Sequence, residues 1–234
     1  MILKNNTTGF RGIHKTEYGW RVQVRKDKKF LTKKRFKKFT DAFRHCKDTV
    51  RENYNEFFYD LLEDDKINIR YSGIIKDDMA NGVGMGLTLF SQYCSIRCDS
   101  CQNKHTWDKN GGNRFTKDIF QNIMEYFKNN SLATRLTLSG GEIFDNIELA
   151  NYVASEFKYN FPDKSLWVYT GYTYEDLLKD VKYKALLEMT DVLVDGRFEI
   201  ENRDITLPYR GSSNQRLINV RDSIKENKIV LLEI

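Results

Sequence analysis

Apolar and polar positions alternate strictly from residue 20 to 25: Trp20, Val22 and Val24 fall on one side, Arg21, Gln23 and Arg25 on the other. A period of two predicts a half-buried strand with a basic outer face. A second apolar and basic stretch, 30–36, follows Lys26-Asp27-Lys28-Lys29, a charged run suited to a hairpin turn. Phe39, Ala42, Phe43, Cys46, Val50 and Tyr54 then recur at helical spacing, with Thr40 as the N-cap. The pattern is a small sheet packed on one helix. Cys46, on the apolar helix face, reads as core and not as a ligand.

Beyond a charged segment at 61–66, read as a helix end and linker, the pattern changes. Short apolar runs at 87–90, 136–138, 166–169 and 192–194 predict buried strands, and 116–129, 147–157 and 174–189 predict helices between them. Such alternation implies parallel pairing through right-handed crossovers. Three crossovers are too few for a closed eight-stranded barrel. The expected fold class is therefore α/β: a partial (βα) barrel-like core with a mainly parallel sheet, preceded by a small α+β domain of three strands and a helix. The expected organisation is 1–60, a linker at 61–66, and 67–234. Active sites in such sheets form at the carboxyl ends of the strands. The segment after each predicted strand is distinctive: a cysteine loop, Ser139-Gly140-Gly141-Glu142, Thr170-Gly171-Tyr172, and Asp195-Gly196.

Composition narrows the class. Hydrophobic residues make up 40% of 234 and aromatics 13%, enough for packed cores. No run approaches the roughly 20 apolar residues that span a bilayer, and the first residues lack a secretory pattern, so a cytoplasmic location with no membrane contact is expected. Reduced thiols are the rule there, which makes metal a better reading than disulfides for the three cysteines clustered at 94–101. The net charge of +5 is uneven: residues 1–60 hold 16 Lys and Arg against 7 Asp and Glu, and the remainder holds 22 against 26. A basic unit of this kind suits nucleic acid; its plain alternative is a solvated sheet face.

The spacing Cys94-x3-Cys98-x2-Cys101 puts three thiolates on one loop. Three cysteines on a 4Fe-4S cluster leave one iron open for a small molecule. A Cys3His zinc site completed by His105 is compatible with the same spacing.

Two resemblances extend this reading. Gly9-Phe10-Arg11-Gly12-Ile13 followed by Gly19-Trp20-Arg21-Val22 resembles the AP2-type DNA-binding domain over about 45 residues. That likeness implies a three-stranded sheet lying in the major groove, with Arg11, Arg21, Gln23 and Arg25 as base and phosphate contacts. The run from Cys94-Ser95-Ile96-Arg97-Cys98-Asp99-Ser100-Cys101 through Asn103 and Thr106-Trp107 is similar to the signature of radical S-adenosylmethionine enzymes, and in particular to activases of class III anaerobic ribonucleotide reductase. The likeness continues through Asn81-Gly82-Val83-Gly84, Ser139-Gly140-Gly141-Glu142, Tyr169-Thr170-Gly171-Tyr172, Asp195-Gly196-Arg197-Phe198 and 210–216. The wider superfamily carries an aromatic before its third cysteine where this chain has Ser100.

The second resemblance implies a 4Fe-4S cluster on Cys94, Cys98 and Cys101. It also implies S-adenosylmethionine contacts from Gly140, Gly141, Glu142, Asn103, Tyr169 and Thr170. The product would be a glycyl radical on the reductase large subunit, formed with electrons from an external flavodoxin- or thioredoxin-like donor. Two alternatives stand beside it: a redox-sensing or zinc-containing DNA-binding protein, and an activase of another glycyl-radical enzyme. The polar segment 210–216 suits either cofactor or partner contact, or a loop capped by its own side chains. The glycine-rich run at 81–86 precedes a strand and does not join strand to helix, which excludes a Rossmann reading.

Overall fold

A computed structural model describes residues 12–26, 29–53 and 69–234, with the side chains of 25–26 and 50–53 excepted. Arg11, the side chain of Arg25, Tyr54 and the 61–66 linker therefore lie outside the described residues.

Strands β1 (Ile13–Thr16), β2 (Gly19–Lys26) and β3 (Lys29–Phe36) form an antiparallel sheet in that order. Ile13, Trp20, Val22 and Val24 are buried against helix α1 (Phe39–Asn53), which contributes Phe39, Ala42, Phe43 and Cys46. The helix begins one residue before the expected Thr40 cap. Its first N–H, on Phe39, donates to Glu188 Oε2 at 2.9 Å, and Trp20 Nε1 donates to the same oxygen at 2.8 Å. A carboxylate from far along the chain thus satisfies the helix N-terminus and faces its positive end. Local sequence gives no sign of it.

The second sheet has seven strands: β4 (Arg70–Asp78), β5 (Gly86–Ser91), β6 (Asn113–Arg114), β7 (Arg135–Gly140), β8 (Ser165–Tyr169), β9 (Val192–Asp195) and β10 (Arg216–Asn219). Their order is β10-β9-β8-β7-β5-β4-β6. β5, β7, β8 and β9 are parallel, matching the four strands expected from sequence, while β4, β6 and β10 pair antiparallel at the two ends. The sheet is therefore less uniformly parallel than its core pattern predicts. β4 escaped the pattern because its register slips twice against β5, between Tyr71 and Gly73 and between Ile75 and Asp78, which breaks the alternation.

Helices α2 (Lys117–Asn129), α3 (Ile147–Asn160), α4 (Tyr174–Lys179) and α5 (Lys184–Met189) occupy the crossovers, and α6 (Val220–Glu226) follows β10. The expected single helix over 174–189 is divided at Asp180, whose side chain accepts from Lys182 N–H and starts a 3-10 turn. A short acid that bonds nearby backbone competes with helix continuation.

Alternation gives the large sheet two faces. Leu87, Leu89, Leu136, Leu138, Leu166, Val168 and Leu193 join the core shared with the helices. That core is continuous with the small sheet, since α1 packs on α3 and α5, Lys47 pairs with Glu156, and Tyr159 Oη donates to Asp48 at 2.8 Å. On the opposite face, Trp167, Val192, Val194 and Leu217 form a smaller cluster.

Beside that smaller cluster the opposite face is polar. The fully buried Arg135 donates to the carbonyls of Asp78 (2.6 Å), Asn81 (2.8 Å) and Gly84 (3.3 Å) and to the Thr137 hydroxyl. Its guanidinium lies 3.6 Å from the Asp78 carboxylate, which also accepts from Ala80 N–H, Asn81 Nδ2 and the Thr88 hydroxyl. Burial pushes the Asp78 carboxyl up, but those hydrogen bonds and the Arg135 charge outweigh it and hold it below its ordinary value. Gly82, at φ +139°, could carry no side chain: a Cβ would sit 2.6 Å from Arg135 and 2.7 Å from Trp167. The glycine-rich run is a cover for a buried guanidinium.

Candidate active site

All four distinctive segments lie at the carboxyl ends of β5, β7, β8 and β9, on one rim, as expected. The cysteine loop leaves β5 and is pinned at its base by the loop after β7. Gly141 N–H donates to Ser91 O at 3.0 Å and Glu142 N–H to Tyr93 O at 2.8 Å. Contact is so close that a Cβ on Gly141 would lie 2.1 Å from Tyr93 O, and one on Gly140 2.6 Å from Ser91 N. The backbone approach that these glycines permit is to the cysteine loop itself. Asp145 adds a second brace, accepting from Ser95 N–H at 2.7 Å and from the Tyr172 hydroxyl at 3.3 Å.

Glu142 is buried, and both carboxylate oxygens are engaged. Oε1 accepts from the Thr170 hydroxyl at 2.8 Å and Phe144 N–H at 3.0 Å, and Oε2 from Gly171 N–H at 2.9 Å. Glu142 and Thr170 thus join the loops after β7 and β8 to one another. Burial still dominates over these bonds and raises the Glu142 carboxyl to about 7. The folded chain therefore keeps a proton that the unfolded chain releases. Stability of the cluster-free protein is expected to fall as pH rises from about 4.5 to about 7, and Glu142→Gln is expected to flatten that slope in thermal denaturation across this range. An unchanged slope in the variant would refute the role of this carboxyl.

Cys94, Cys98 and Cys101 are half-buried on the rim. Burial pushes the Cys94 and Cys98 thiols up; the N–H groups of Arg97 and Ile96 oppose this at Cys94, and that of Phe198 at Cys98. Asn103 N–H donates to Cys101 Sγ at 3.3 Å. Positive φ at Tyr93, Arg97 and Ser100 bends the loop around these donors. Among the described residues, no three His, Cys, Asp or Glu side chains converge as one metal ion demands, and His105 is exposed. Three thiols spread over one loop, each met by backbone N–H, fit a cluster in which every thiolate has its own iron, because hydrogen bonds to sulfur are a main control on such centres. The donor set thus fits a 4Fe-4S cluster better than a single zinc.

A cavity of about 450 Å³ opens beside Cys101, lined among others by Asn103, Ser139, Tyr169, Tyr209 and Arg210. Of the residues expected at a cofactor, Asn103 and Tyr169 line it, whereas Gly140, Gly141, Glu142 and Thr170 brace the loops behind it. Tyr169 Oη donates to Tyr209 O at 2.7 Å, and burial raises its phenol so that it stays protonated. Tyr209 comes from an aperiodic stretch and left no sequence signal, whereas Phe198 closes the Asp195-Gly196-Arg197-Phe198 run that the resemblance includes. Within 210–216 the polar side chains bond partly inside the loop and largely to the loop after β9, where Asn214 Nδ2 donates to Arg197 O at 2.8 Å and Gln215 Nε2 to Gly196 O at 3.0 Å. Gln215 Oε1 accepts from Gly211 N–H at 2.9 Å, and Arg216 pairs with Glu175 at 2.7 Å and Asp195 at 2.5 Å.

The 4Fe-4S single cluster domain family matches residues 80–218, spanning the cysteine loop, the brace and this cavity. The anaerobic ribonucleoside-triphosphate reductase-activating protein of Vibrio cholerae is 38% identical over 141 residues, 59% of this chain and 90% of that one. Its counterpart from Enterobacteria phage T4 is 33% identical over 158 residues, 67% of this chain and 97% of the phage protein. The protein of that name from Escherichia coli strain K12 is 33% identical over 151 residues, 62% and 94% of the two chains.

The chain belongs to the anaerobic ribonucleoside-triphosphate reductase-activating protein family.

The 4Fe-4S single cluster match takes in the rim and the large sheet from β5 onward, and leaves β4 outside. The 4Fe-4S match begins at residue 80, so the small basic sheet lies outside it. Among the described residues no helix is long and apolar enough to cross a membrane.

Proposed function

We propose that this chain activates an anaerobic ribonucleotide reductase by reductive cleavage of S-adenosylmethionine at a 4Fe-4S cluster on Cys94, Cys98 and Cys101. The observation that carries the reading is the placement of three half-buried thiols, each met by backbone N–H, at a strand-end rim beside a cavity large enough for a nucleoside cofactor. When bound, the cluster supplies the electron for that cleavage, whose outcome is a glycyl radical on the reductase large subunit. The protein's part is to bind, orient and exclude water. The Gly140-Gly141 contact fixes the cysteine loop, Glu142 and Thr170 lock the neighbouring loop to it, and Asn103 and Tyr169 face the cofactor. The large sheet serves as the partial barrel of such enzymes. Residues 67–234 form the activase unit in the cytoplasm, joined by 61–66 to the unit at 1–60. Anaerobic reconstitution with iron, sulfide and S-adenosylmethionine, followed by electron paramagnetic resonance on the reductase, is the test. Stoichiometric zinc with no iron chromophore would sink the reading.

A second function is proposed for the N-terminal unit: DNA binding through the outer face of an AP2-like sheet. In support, β2 is the central strand, and its Arg21 lies opposite His14 and Arg35, with Gln23 opposite Lys33, so one face carries five polar or basic side chains. The double variant Arg21→Ala with Arg35→Ala is expected to lose roughly two units of salt slope in duplex binding, about one per phosphate contact removed, with activase turnover retained. Unaltered binding would point to a solvated face.

A further inference from the structure

Two surfaces of opposite character lie at the two ends of one stack of layers. In the large sheet, Phe90, Ser139 and Tyr169 line the cavity beside Cys101, while their strand neighbours Leu89, Leu138 and Val168 point the other way, into the core under the helices. The cavity therefore opens on the face that α3 and α5 do not cover. Helix α1 packs on α3 and α5 from the helix side, and the small sheet packs on α1 through Ile13, Trp20, Val22 and Val24. Alternation then turns His14, Arg21, Gln23, Lys33 and Arg35 outward, away from the rest of the molecule. The order is basic face, small sheet, α1, α3 with α5, large sheet, cavity. At roughly 10 Å per packed layer, the two sheets stand about 30 Å apart.

The joint between the units holds this order. Glu188 receives Trp20 Nε1, the Phe39 N–H and Lys15, and Tyr159 Oη donates to Asp48, so the basic face cannot swing round to the cavity while these bonds stand. Surface chemistry separates the two ends as well. Strands β1, β2 and β3 carry eight Lys and Arg and no Asp or Glu, which suits a polyanion. At the other end Phe198, Ile205, Leu207 and Tyr209 line the cavity and none of them is fully covered, Ile205 being 82% exposed. A cluster of bare apolar side chains at a cavity mouth fits a protein partner.

Resting on the activase and DNA-binding readings of the two units, we infer that this chain holds duplex DNA and the reductase at the same time, one at each end of the stack, and so carries the reductase to DNA. A separation of about 30 Å exceeds the Debye length of about 8 Å at physiological ionic strength, so the phosphate backbone at one end is screened from the partner at the other. Sites this far apart with no shared side chain act independently.

The test uses the full-length holoprotein, the reductase large subunit and a fluorescently labelled duplex of mixed sequence. Anisotropy reads the affinity for duplex, and sedimentation velocity followed at the label reads what travels with the DNA. The reductase is expected to enter a heavier complex with the duplex only when this protein is present, with duplex affinity unchanged to within about twofold. Arg21→Ala with Arg35→Ala is expected to cut the reductase recruited to duplex about tenfold or more, while calorimetry shows wild-type affinity for the reductase itself. Ile205→Asp, at a solvent-facing position, is expected to do the converse: reductase binding about tenfold weaker, duplex binding intact. Displacement of the duplex by the reductase, when each binds separately, would overturn the inference alone, because the two partners would then share a surface. Full recruitment by the Arg21, Arg35 variant would overturn it too, since the DNA contact would lie off the outer face. Unaltered reductase affinity in Ile205→Asp would do so from the other end. A wild type that binds no duplex by itself strikes the DNA reading, one that binds no reductase strikes the activase reading, and the inference falls with either.

Discussion

Cys98→Ala, reconstituted anaerobically with iron and sulfide, is expected to lose the 4Fe-4S chromophore and to release no 5′-deoxyadenosine above background. Cys98 sits mid-loop between the other two thiols, with Phe198 N–H at its sulfur. Removing it leaves two protein thiolates for four irons, and an ordinary hydrogen-bond donor facing a methyl group. The fold should be indifferent. The side chain is half-buried on a rim and makes no core contact, so the cluster-free variant should unfold within about 0.5 kcal/mol of wild type. Cys46→Ala provides the contrast: this thiol is fully buried in the small module, and burial raises it to about 12, far from reactive. That variant should keep its iron and its turnover. Iron content and cleavage retained in Cys98→Ala would remove the cluster assignment.

The other large effect is on stability. Asp78→Ala is expected to destabilise the protein by about 3–5 kcal/mol, because it strands the Arg135 guanidinium in a site with no exposure and, among the described residues, no other paired carboxylate. Chemical denaturation of the cluster-free protein reads this directly. Replacing both partners, with Asp78→Leu and Arg135→Met, should recover much of the loss, since the penalty comes from the orphaned charge more than from the pair. Acid behaviour follows with a definite sign. The Asp78 carboxyl is held below its ordinary value of 3.8 when folded, so its contribution is present above that pH and is lost as pH falls through the folded value. In Asp78→Ala this acid-linked step should vanish. A variant that unfolds like wild type would show that the buried pair carries no such weight.

The parallel strands and the rim were legible in the sequence because each obeys a local rule. Leu136-Thr137-Leu138 and Leu166-Trp167-Val168 are short apolar runs between breakers, and a strand end is where a cysteine loop belongs. What escaped depended on partners distant in sequence. Thr40 looked like a cap because nothing nearby revealed that Glu188 would reach the Phe39 N–H. Arg135 read as an ordinary start of strand, since its burial requires Asp78 and the carbonyls of 81–84 to fold over it. Glu142 was expected at the cofactor by resemblance to the family, and its oxygens also accept from Thr170, Phe144 and Gly171, ties that no motif displays. Motif identity was readable there, but the direction of the side chain was not.

The joint at Glu188 bears on how the two units can be separated. Trp20 Nε1, the first N–H of α1 and Lys15 all converge on this one carboxylate, and Phe43 stacks edge-on against Tyr159 of α3 at 6.4 Å. Cutting the chain between the units therefore uncovers an oily strip on α3 and α5 with an unpaired acid in its midst. The phage T4 relative aligns over 97% of its own length with 67% of this chain, which leaves it little room for such a cover. A truncated form of the present protein would need solubilising substitutions along that strip before its behaviour in solution could be compared with that of its shorter kin.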